Sequence, residues 1–243
     1  MEQDHIIRSV ADYVSWTETT AVYPRHDQET AMSYELLGAL SELGEVCGMF
    51  KRELRDPDYT LERLSLKKEI GDIAWYLARI HYSHDFDSSE SMAATLTKHG
   101  LAVPESKNCF SIAEAIYKHF KPLSCNKTAV IRSVLGMAEN TVFRSEEEAD
   151  NAMIAIQAKL NTDDEVESAR TNLILSFSSD YEASMGIFMK KFAAEIGSPL
   201  GLLKWFVLCD RLRFDYMEVL RTNYRKLEDR KDRNKLHGSG DTR

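Results

Sequence analysis

The scarcity of residues that interrupt helices is the feature that most constrains this fold. The 243 residues include five prolines and eleven glycines, roughly half the share found in an average globular protein. No proline lies between Pro122 and Pro199. Because proline removes a backbone donor and breaks helices, so long a stretch without one favours long, uninterrupted helices. The sequence therefore predicts an all-α fold.

Apolar residues recur at helical spacing through the first third of the chain. The pattern predicts helices over Ile6–Thr19, about Ser33–Arg55 and about Leu61–Tyr82. The second and third each carry an apolar seam: Leu36, Leu40, Leu43, Cys47, Phe50 and Leu54 on the second, and Leu66, Ile70, Ile73, Leu77 and Ile80 on the third. A short turn between two such helices predicts an antiparallel pair.

The middle of the chain carries further helical patterns but no known motif. The candidate segments are Ser111–Lys121, Lys127–Val142, Glu146–Leu160, Asp164–Phe177 and Tyr181–Ile196. A last helix is predicted from about Leu202 to Lys235, with a break near Phe214-Asp215. We expect residues 1–82 and 202–243 to form a core, and residues 83–201 to form a helical insertion that packs on this core or caps it.

Two pairs of carboxylates have a spacing that places each pair on one helical face. Glu42 and Glu45 lie three residues apart on the second helix, and Glu69 and Asp72 lie three apart on the third. Each pair is rotated from the apolar seam of its helix by a similar angle, so pairing the seams would bring all four carboxylates together. The same spacing recurs elsewhere in this acidic chain, and two solvated helix faces are the alternative interpretation.

Four converging carboxylates would repel one another, and a divalent cation would stabilise them near neutral pH. Mg²⁺ takes carboxylate oxygens and keeps water and phosphate oxygens as further ligands. Neither pair contains the histidine or cysteine that is typical of a zinc site. The pattern therefore favours magnesium.

The last helix carries a polar stripe that would complement a metal-bound polyphosphate. Asn223, Lys226, Arg230 and Arg233 fall within one quadrant of that helix. Lysine and arginine neutralise phosphate oxygens, and an asparagine amide hydrogen-bonds a base or sugar edge. Basic residues near a helix C-terminus also offset the helix dipole, which is the simpler interpretation when the carboxylates are left aside.

The charge balance argues against one class of partner. The chain has 31 basic and 39 acidic residues and a net charge of −8, unlike proteins that bind duplex nucleic acid by neutralising many phosphates. Its apolar runs are too short to cross a bilayer, and its four cysteines form no CxxC pair. We expect a cytoplasmic protein with neither a nucleic-acid nor a membrane partner.

Three stretches together resemble the MazG-like nucleotide pyrophosphohydrolases, a family of all-α nucleoside triphosphate pyrophosphatases. The stretch YELLGALSELGEVCGMFKRELR, residues 34–55, resembles their first metal helix, with Glu42 and Glu45 as its ExxE. The stretch KKEIGDIAWYLARI, residues 67–80, resembles the second, with Glu69 and Asp72 as its ExxD. Residues 213–243 resemble the closing helix of phage and bacterial single-domain members, with an NxxKLxxR pattern from Asn223 to Arg230. Such members usually join these helices by a short turn, whereas here residues 83–201 intervene.

The resemblance implies hydrolysis of a nucleoside triphosphate between its α and β phosphates, giving the monophosphate and pyrophosphate. The four carboxylates would be the catalytic residues and would hold Mg²⁺, with Mn²⁺ as a substitute. The candidate phosphate contacts are Lys51, Lys226 and Arg230, and the candidate nucleoside contacts are Tyr76 and Asn223. A homodimer or higher oligomer is compatible with this interpretation.

Two other functions remain open at this point. One is a helical nucleotide-binding or regulatory module that has lost catalytic turnover. The other is an assembly protein whose acidic pairs are solvated surface.

Overall fold

The computed structural model describes residues 7–83, 92–94, 97, 102–124, 148, 151–152, 154–156, 175–176 and 178–236. Within these ranges all regular secondary structure is helical, which confirms the all-α prediction. No described helix is both long enough and apolar enough to cross a membrane. The predicted helices Lys127–Val142, Glu146–Leu160 and Asp164–Phe177 lie outside the described residues, apart from a few isolated positions.

The chain begins with a short helix, α1 (Val10–Thr17), that continues into a 3₁₀ turn over Glu18–Thr20. Ser9 caps α1: its hydroxyl accepts a hydrogen bond from the backbone N–H of Asp12, and the Asp12 carboxylate accepts one from the N–H of Ser9. The predicted first helix, Ile6–Thr19, is therefore shorter in the structure. Its inward face, which includes the fully buried Tyr13, packs on the third helix.

Two long helices form the centre of the molecule: α2 (Gln28–Arg55) and α3 (Arg63–Ser83). Helix α2 starts five residues earlier than predicted because Asp27 caps it, its carboxylate accepting a hydrogen bond from the N–H of Thr30. The two helices pack along each other and are joined by a short turn, as the sequence predicts. Every predicted seam residue of α3 is buried.

The prediction that the leucine seam of α2 packs on α3 is wrong for most of its residues. The face of α2 that is buried consists of Ala31, Glu35, Ala39, Leu43, Val46 and Met49. Leu40 is 42% exposed and Leu54 is 89% exposed. Small residues such as Ala39 let α2 lie close to α3, whereas the leucine face turns toward a later helix. The acidic face, rather than the leucine face, therefore lies next to α3.

Three helices lie in the described parts of the chain between α3 and the last helix: α4 (Cys109–Ser124), α5 (Met185–Glu195) and α6 (Pro199–Arg211). Helix α5 packs on α2, and α6 packs on α3, α4 and α5. The predicted helix Tyr181–Ile196 is interrupted at Ser184, whose hydroxyl caps α5 by accepting a hydrogen bond from the N–H of Ile187. The described helices of the predicted insertion thus share one core with α1–α3.

The predicted last helix is two helices, with the break where it was expected. Helix α6 ends at Arg211, and Arg213 has a positive φ of 56° that turns the chain. Helix α7 (Tyr216–Asp232) then starts behind an Asp215 cap. It packs mainly on α3 and also on α1.

Candidate functional site

Three of the four predicted carboxylates converge between α2 and α3. Glu42, Glu69 and Asp72 each place one carboxylate oxygen within 4.8 Å of the others, and all three are partly buried. Glu69 and Asp72 meet Glu42 because the acidic face of α2 lies against α3 in antiparallel orientation. Glu45 lines the same cavity but is exposed at its rim and is not part of this cluster.

The charge on Glu42 is poorly compensated by the protein. Burial, followed by the neighbouring charges of Asp72, Glu45 and Glu69, raises the pKa of Glu42 to about 8. A carboxylate that keeps its proton this strongly gains much from a nearby cation. The donors are all carboxylate oxygens, with no nitrogen or sulfur ligand in the cluster, and such a set fits a hard divalent cation such as Mg²⁺.

Helix α7 contributes one lysine and one amide, and both donate to the Asp72 carboxylate. The Nζ of Lys226 lies 2.6 Å from Oδ2 of Asp72, and the Nδ2 of Asn223 donates to Oδ1 of Asp72 at 2.6 Å. Asn223 is fully buried and does not line the cavity, so the structure places it behind Asp72 and not where a nucleoside would contact it. Arg230 lines the cavity two turns after Asn223, whereas Arg233 is paired with Asp229 on the surface.

The carboxylates open into a cavity of about 960 Å³. Its described walls come from residues 20–76 and 226–236. An aromatic wall adjoins the carboxylates: Tyr76 follows Asp72 on α3 by a rise of about 6 Å, and Tyr34 precedes Glu42 on α2 by a rise of about 12 Å. This wall, defined by Tyr23, Tyr34, Trp75 and Tyr76, makes the cavity acidic at one end and aromatic at the other.

Hydrogen bonds and ring contacts hold the aromatic wall in place. The rings of Tyr23 and Tyr34 stack at a centroid distance of 4.6 Å and an interplanar angle of 6°. The hydroxyl of Tyr23 donates to the buried Glu35, and the Nε of Arg79 donates to the same hydroxyl at 3.3 Å. The indole N–H of Trp75 donates to Oγ1 of Thr20 at 2.8 Å. These contacts fix the rings of the wall, with Tyr23 parallel to Tyr34 and edge-on to Trp75 at an interplanar angle of 81°.

Tyr76 belongs to the aromatic wall and lies against α2. Its ring fills the space that a Cβ on Gly38 would occupy. Burial, and then the neighbouring Tyr34, raise the pKa of Tyr76, which stays a neutral phenol at physiological pH. Tyr76 thus lines the cavity, and its contact with a nucleoside stays a prediction.

Lys51 is not brought to the cavity. It lies nine residues after Glu42, and at 100° per residue this places it on the opposite side of α2. There it is exposed at the edge of a second, apolar groove of about 450 Å³ between α2 and α5, which is lined by Leu40, Cys47, Phe50, Met185 and Met189, among others. The prediction of a phosphate contact for Lys51 therefore has no support in the geometry.

Sequence reasoning missed Tyr23, Tyr34 and Trp75 as cavity residues. A signal was present, because Tyr34, Gly38 and Glu42 repeat at four-residue spacing on α2, as do Asp72 and Tyr76 on α3. Tyr23 lies in the turn before α2, and its place in the wall depends on tertiary packing.

Comparison with known proteins finds one short likeness. The Gene 37 protein of Mycobacterium phage L5 is 36% identical to this chain over 67 residues. The match includes 25% of this chain and 59% of that relative, so the chain spans less than two thirds of the relative's length, and the relative's name states no activity. No family model matches the chain, and no solved structure matches it.

Proposed function

We propose that this protein is a Mg²⁺-dependent nucleoside triphosphate pyrophosphohydrolase. The observation that carries the proposal is the convergence of Glu42, Glu69 and Asp72 in a cavity that also contains two cations and an aromatic wall. The resemblance of residues 34–55, 67–80 and 213–243 to the MazG-like family supports the same interpretation. The products would be a nucleoside monophosphate and pyrophosphate.

Glu42, Glu69 and Asp72 would hold the metal, and Glu45 at the rim adds negative potential that attracts it. Bound Mg²⁺ lowers the pKa of a ligated water and screens charge on the leaving pyrophosphate. A carboxylate of the cluster that is not fully used in metal ligation would take up the proton from the attacking water.

The cations of α7 would bind the phosphate chain. Lys226 and Arg230 lie one turn apart on the helix and both line the cavity, so they form a positive edge beside the carboxylates. Arginine binds phosphate oxygens in a bidentate manner, and lysine adds a mobile point charge. Together they would orient the triphosphate with its α phosphate near the carboxylates.

The aromatic wall would bind the nucleoside. An aromatic surface of Tyr23, Tyr34 and Trp75 lines the same cavity as the carboxylates. Stacking on such a surface tolerates any base, since every base has a π face. The wall therefore supports a nucleotide as the substrate class in preference to inorganic polyphosphate.

The test is release of pyrophosphate from a panel of ribo- and deoxynucleoside triphosphates in the presence of excess Mg²⁺. We expect Mg²⁺-dependent release by the wild type and a loss of about 100-fold or more in Glu69→Gln, because the neutral amide is a weak metal ligand. Glu53→Gln is the matched control: Glu53 is exposed on α2, does not line the cavity, and should leave the rate unchanged.

Two results would contradict the proposal. Tight nucleotide binding without pyrophosphate release from any nucleotide would indicate a binding or regulatory module instead. Equal Mg²⁺ affinity and equal thermal stability in Mg²⁺ for the wild type and Glu69→Gln would indicate that the carboxylates are solvated surface.

A further inference from the structure

Two buried hydrogen bonds connect α1, α7 and α3 behind the carboxylate cluster. The hydroxyl of Tyr13 donates to Oδ1 of Asn223 at 2.8 Å, and Nδ2 of Asn223 donates to Oδ1 of Asp72 at 2.6 Å. Tyr13 and Asn223 are each 0% exposed. A residue of α1, which contributes nothing to the described wall of the cavity, thus reaches a carboxylate of the cluster through one amide.

The Asn223 amide has a single well-satisfied orientation in this chain. Reversing it would point Oδ1 at the Asp72 carboxylate, so that two acceptors would face each other without a hydrogen. In the observed orientation the Tyr13 hydroxyl satisfies Oδ1, which would otherwise be a buried acceptor without a partner. Burial and the nearby charge of Asp72 raise the pKa of Tyr13 well above its usual value, and the phenol therefore remains a donor.

A glycine makes this close approach feasible. Gly71 directly precedes Asp72, and a Cβ at Gly71 would lie 2.8 Å from the Cβ of Asn223 and 3.4 Å from the carbonyl oxygen of Val219. The missing side chain lets α7 come near enough to α3 for both oxygens of Asp72 to be bonded, Oδ1 by Asn223 and Oδ2 by Lys226. The plane of the Asp72 carboxylate is thereby fixed from α7.

Other polar contacts also connect the N-terminal segment with α7, and these do not involve the carboxylate cluster. The indole of Trp16 donates to Glu228 at 2.7 Å, and Nε of Arg221 donates to the carbonyl oxygen of Ile7 at 3.0 Å. The bond from Tyr13 to Asn223 differs from these because it ends on a carboxylate of the cluster. Its distinctive effect is on the orientation of Asp72.

We infer that Tyr13 and Asn223 are positioning residues that hold the Asp72 carboxylate in the orientation in which it binds a divalent cation. The inference rests on the proposed function of the cavity as a Mg²⁺ site. Partners that orient a metal-binding carboxylate typically change metal affinity by about 10- to 100-fold when they are removed.

The test compares Tyr13→Phe with Tyr216→Phe, using Mg²⁺ as the probe. Each variant loses one phenol hydroxyl that donates to a polar side chain in the fold, and Tyr216 donates to Glu114 at 2.5 Å, away from the cavity. Mg²⁺ dissociation constants are measured by calorimetry on nucleotide-free protein, and melting temperatures are measured in EDTA. We expect Tyr13→Phe to bind Mg²⁺ about 10-fold more weakly and Tyr216→Phe to bind it like the wild type.

An independent readout separates positioning from a general structural role. Raising the Mg²⁺ concentration should restore pyrophosphate release in Tyr13→Phe, because the variant loses metal affinity and keeps the catalytic groups. If Tyr13→Phe does not fold, the unmodified chain provides the measurement: the side-chain amide resonances of Asn223 should shift when Mg²⁺ is added.

The outcomes distinguish this inference from the proposed function. A wild type that binds Mg²⁺ and releases pyrophosphate, with an unchanged Mg²⁺ dissociation constant in Tyr13→Phe or unshifted Asn223 amide resonances, overturns the inference alone. A wild type that binds no Mg²⁺ overturns both. A wild type that binds Mg²⁺ without hydrolysis, together with weakened binding in Tyr13→Phe, overturns the pyrophosphohydrolase proposal and supports the positioning role.

Discussion

Gly38 and Gly71 are the two positions in the site where a missing side chain lets another residue come close. The absence of a side chain at Gly71 lets Asn223 pack close to Asp72, and the absence of one at Gly38 lets the ring of Tyr76 pack against α2. Each glycine lies one helical turn or less from a carboxylate of the cluster. Close helix contact at these points brings charged and aromatic groups into one cavity.

Replacing Gly38 by alanine should displace Tyr76 and weaken nucleotide binding. The new methyl group would overlap the tyrosine ring, which has to move into the cavity. Overpacking of this kind costs about 1–3 kcal/mol of folding free energy, and the KM for nucleotide should rise several-fold. Thermal or urea unfolding and steady-state kinetics would measure the two effects.

Gly44→Ala is the control for this prediction. Gly44 lies on the same helix, and a Cβ there meets no atom within 4 Å. Alanine is the better helix former, so this variant should be stabilised by about 0.5–1 kcal/mol with an unchanged KM. A Gly38→Ala variant that behaves like Gly44→Ala would show that the position of Tyr76 is not determined by Gly38.

The sequence identified the carboxylates but not all of their surroundings. Helical spacing places Glu69 with Asp72, and Glu42 with Glu45, on one face of each helix, because i, i+3 geometry depends only on the helix itself. Which of these faces meet depends on packing between the helices. Helical geometry also excludes Lys51 from the cavity, because a separation of nine residues from Glu42 places it on the opposite side of α2. The burial of Asn223 and the place of Tyr23 depend on packing between helices, which spacing does not encode.

At the scale of whole helices, α2 shows why the pattern of apolar residues did not predict which of its faces packs on α3. Leucine is more hydrophobic than alanine, yet Leu40 and Leu54 are exposed, whereas Leu43 is buried on the same face as Ala31 and Ala39. Small residues allow two backbones to approach, and that close approach decides which face of α2 meets α3. The predicted break before α7 was easier to find because the pattern itself changes there.

Helix α6 connects α3 with α4 through Trp205, and this side chain should be one of the most sensitive in the fold. Trp205 is 0% exposed, its ring packs edge-on against Phe110, and its indole N–H donates to the carbonyl oxygen of Ile70 at 2.9 Å. Trp205→Ala should reduce the free energy of unfolding by about 3–5 kcal/mol, as measured by urea denaturation.

Leu200→Ala provides the comparison within the same helix. Leu200 is 42% exposed, so its truncation should change the free energy of unfolding by less than about 0.5 kcal/mol. If Trp205→Ala were as mild as Leu200→Ala, then α3, α4 and α6 would not share the single core that the structure describes.

For the molecule as a whole, α2 and α3 contribute to both the cavity and the core, whereas other helices contribute to the core alone. The described cavity walls come from residues 20–76 and 226–236, whereas α4, α5 and α6 pack into the core without lining the cavity. The prediction that residues 83–201 form an insertion that packs on the core or caps it stays a prediction, since much of this stretch lies outside the described residues.

Global stability should depend on pH through Glu42. Its pKa is raised to about 8 in the folded protein from 4.5 in the unfolded chain, so the folded state favours the protonated form. The stabilisation from this proton is complete below about pH 4.5 and is lost as the pH rises through 8. In EDTA, the melting temperature should therefore fall between pH 5 and pH 9, with a contribution from Glu42 on the order of 5 °C.

Two variants assign this effect to Glu42. Glu42→Gln is neutral at every pH and should show a flatter profile, with a higher melting temperature than the wild type at pH 9 in EDTA. Glu53→Gln should keep the wild-type profile, since Glu53 is exposed. The assignment is wrong if Glu42→Gln loses as much stability between pH 5 and pH 9 as the wild type does.

Because the site is assembled from α2, α3 and α7, it is complete only after the last of these helices has been synthesised. During synthesis on the ribosome, the acidic helices leave the exit tunnel well before α7, because the whole middle stretch is translated between them. Until then Asp72 lacks both Asn223 and Lys226. A nascent chain would therefore hold its cluster of negative charges without the groups that orient and balance it, and would gain a complete site only when α7 docks.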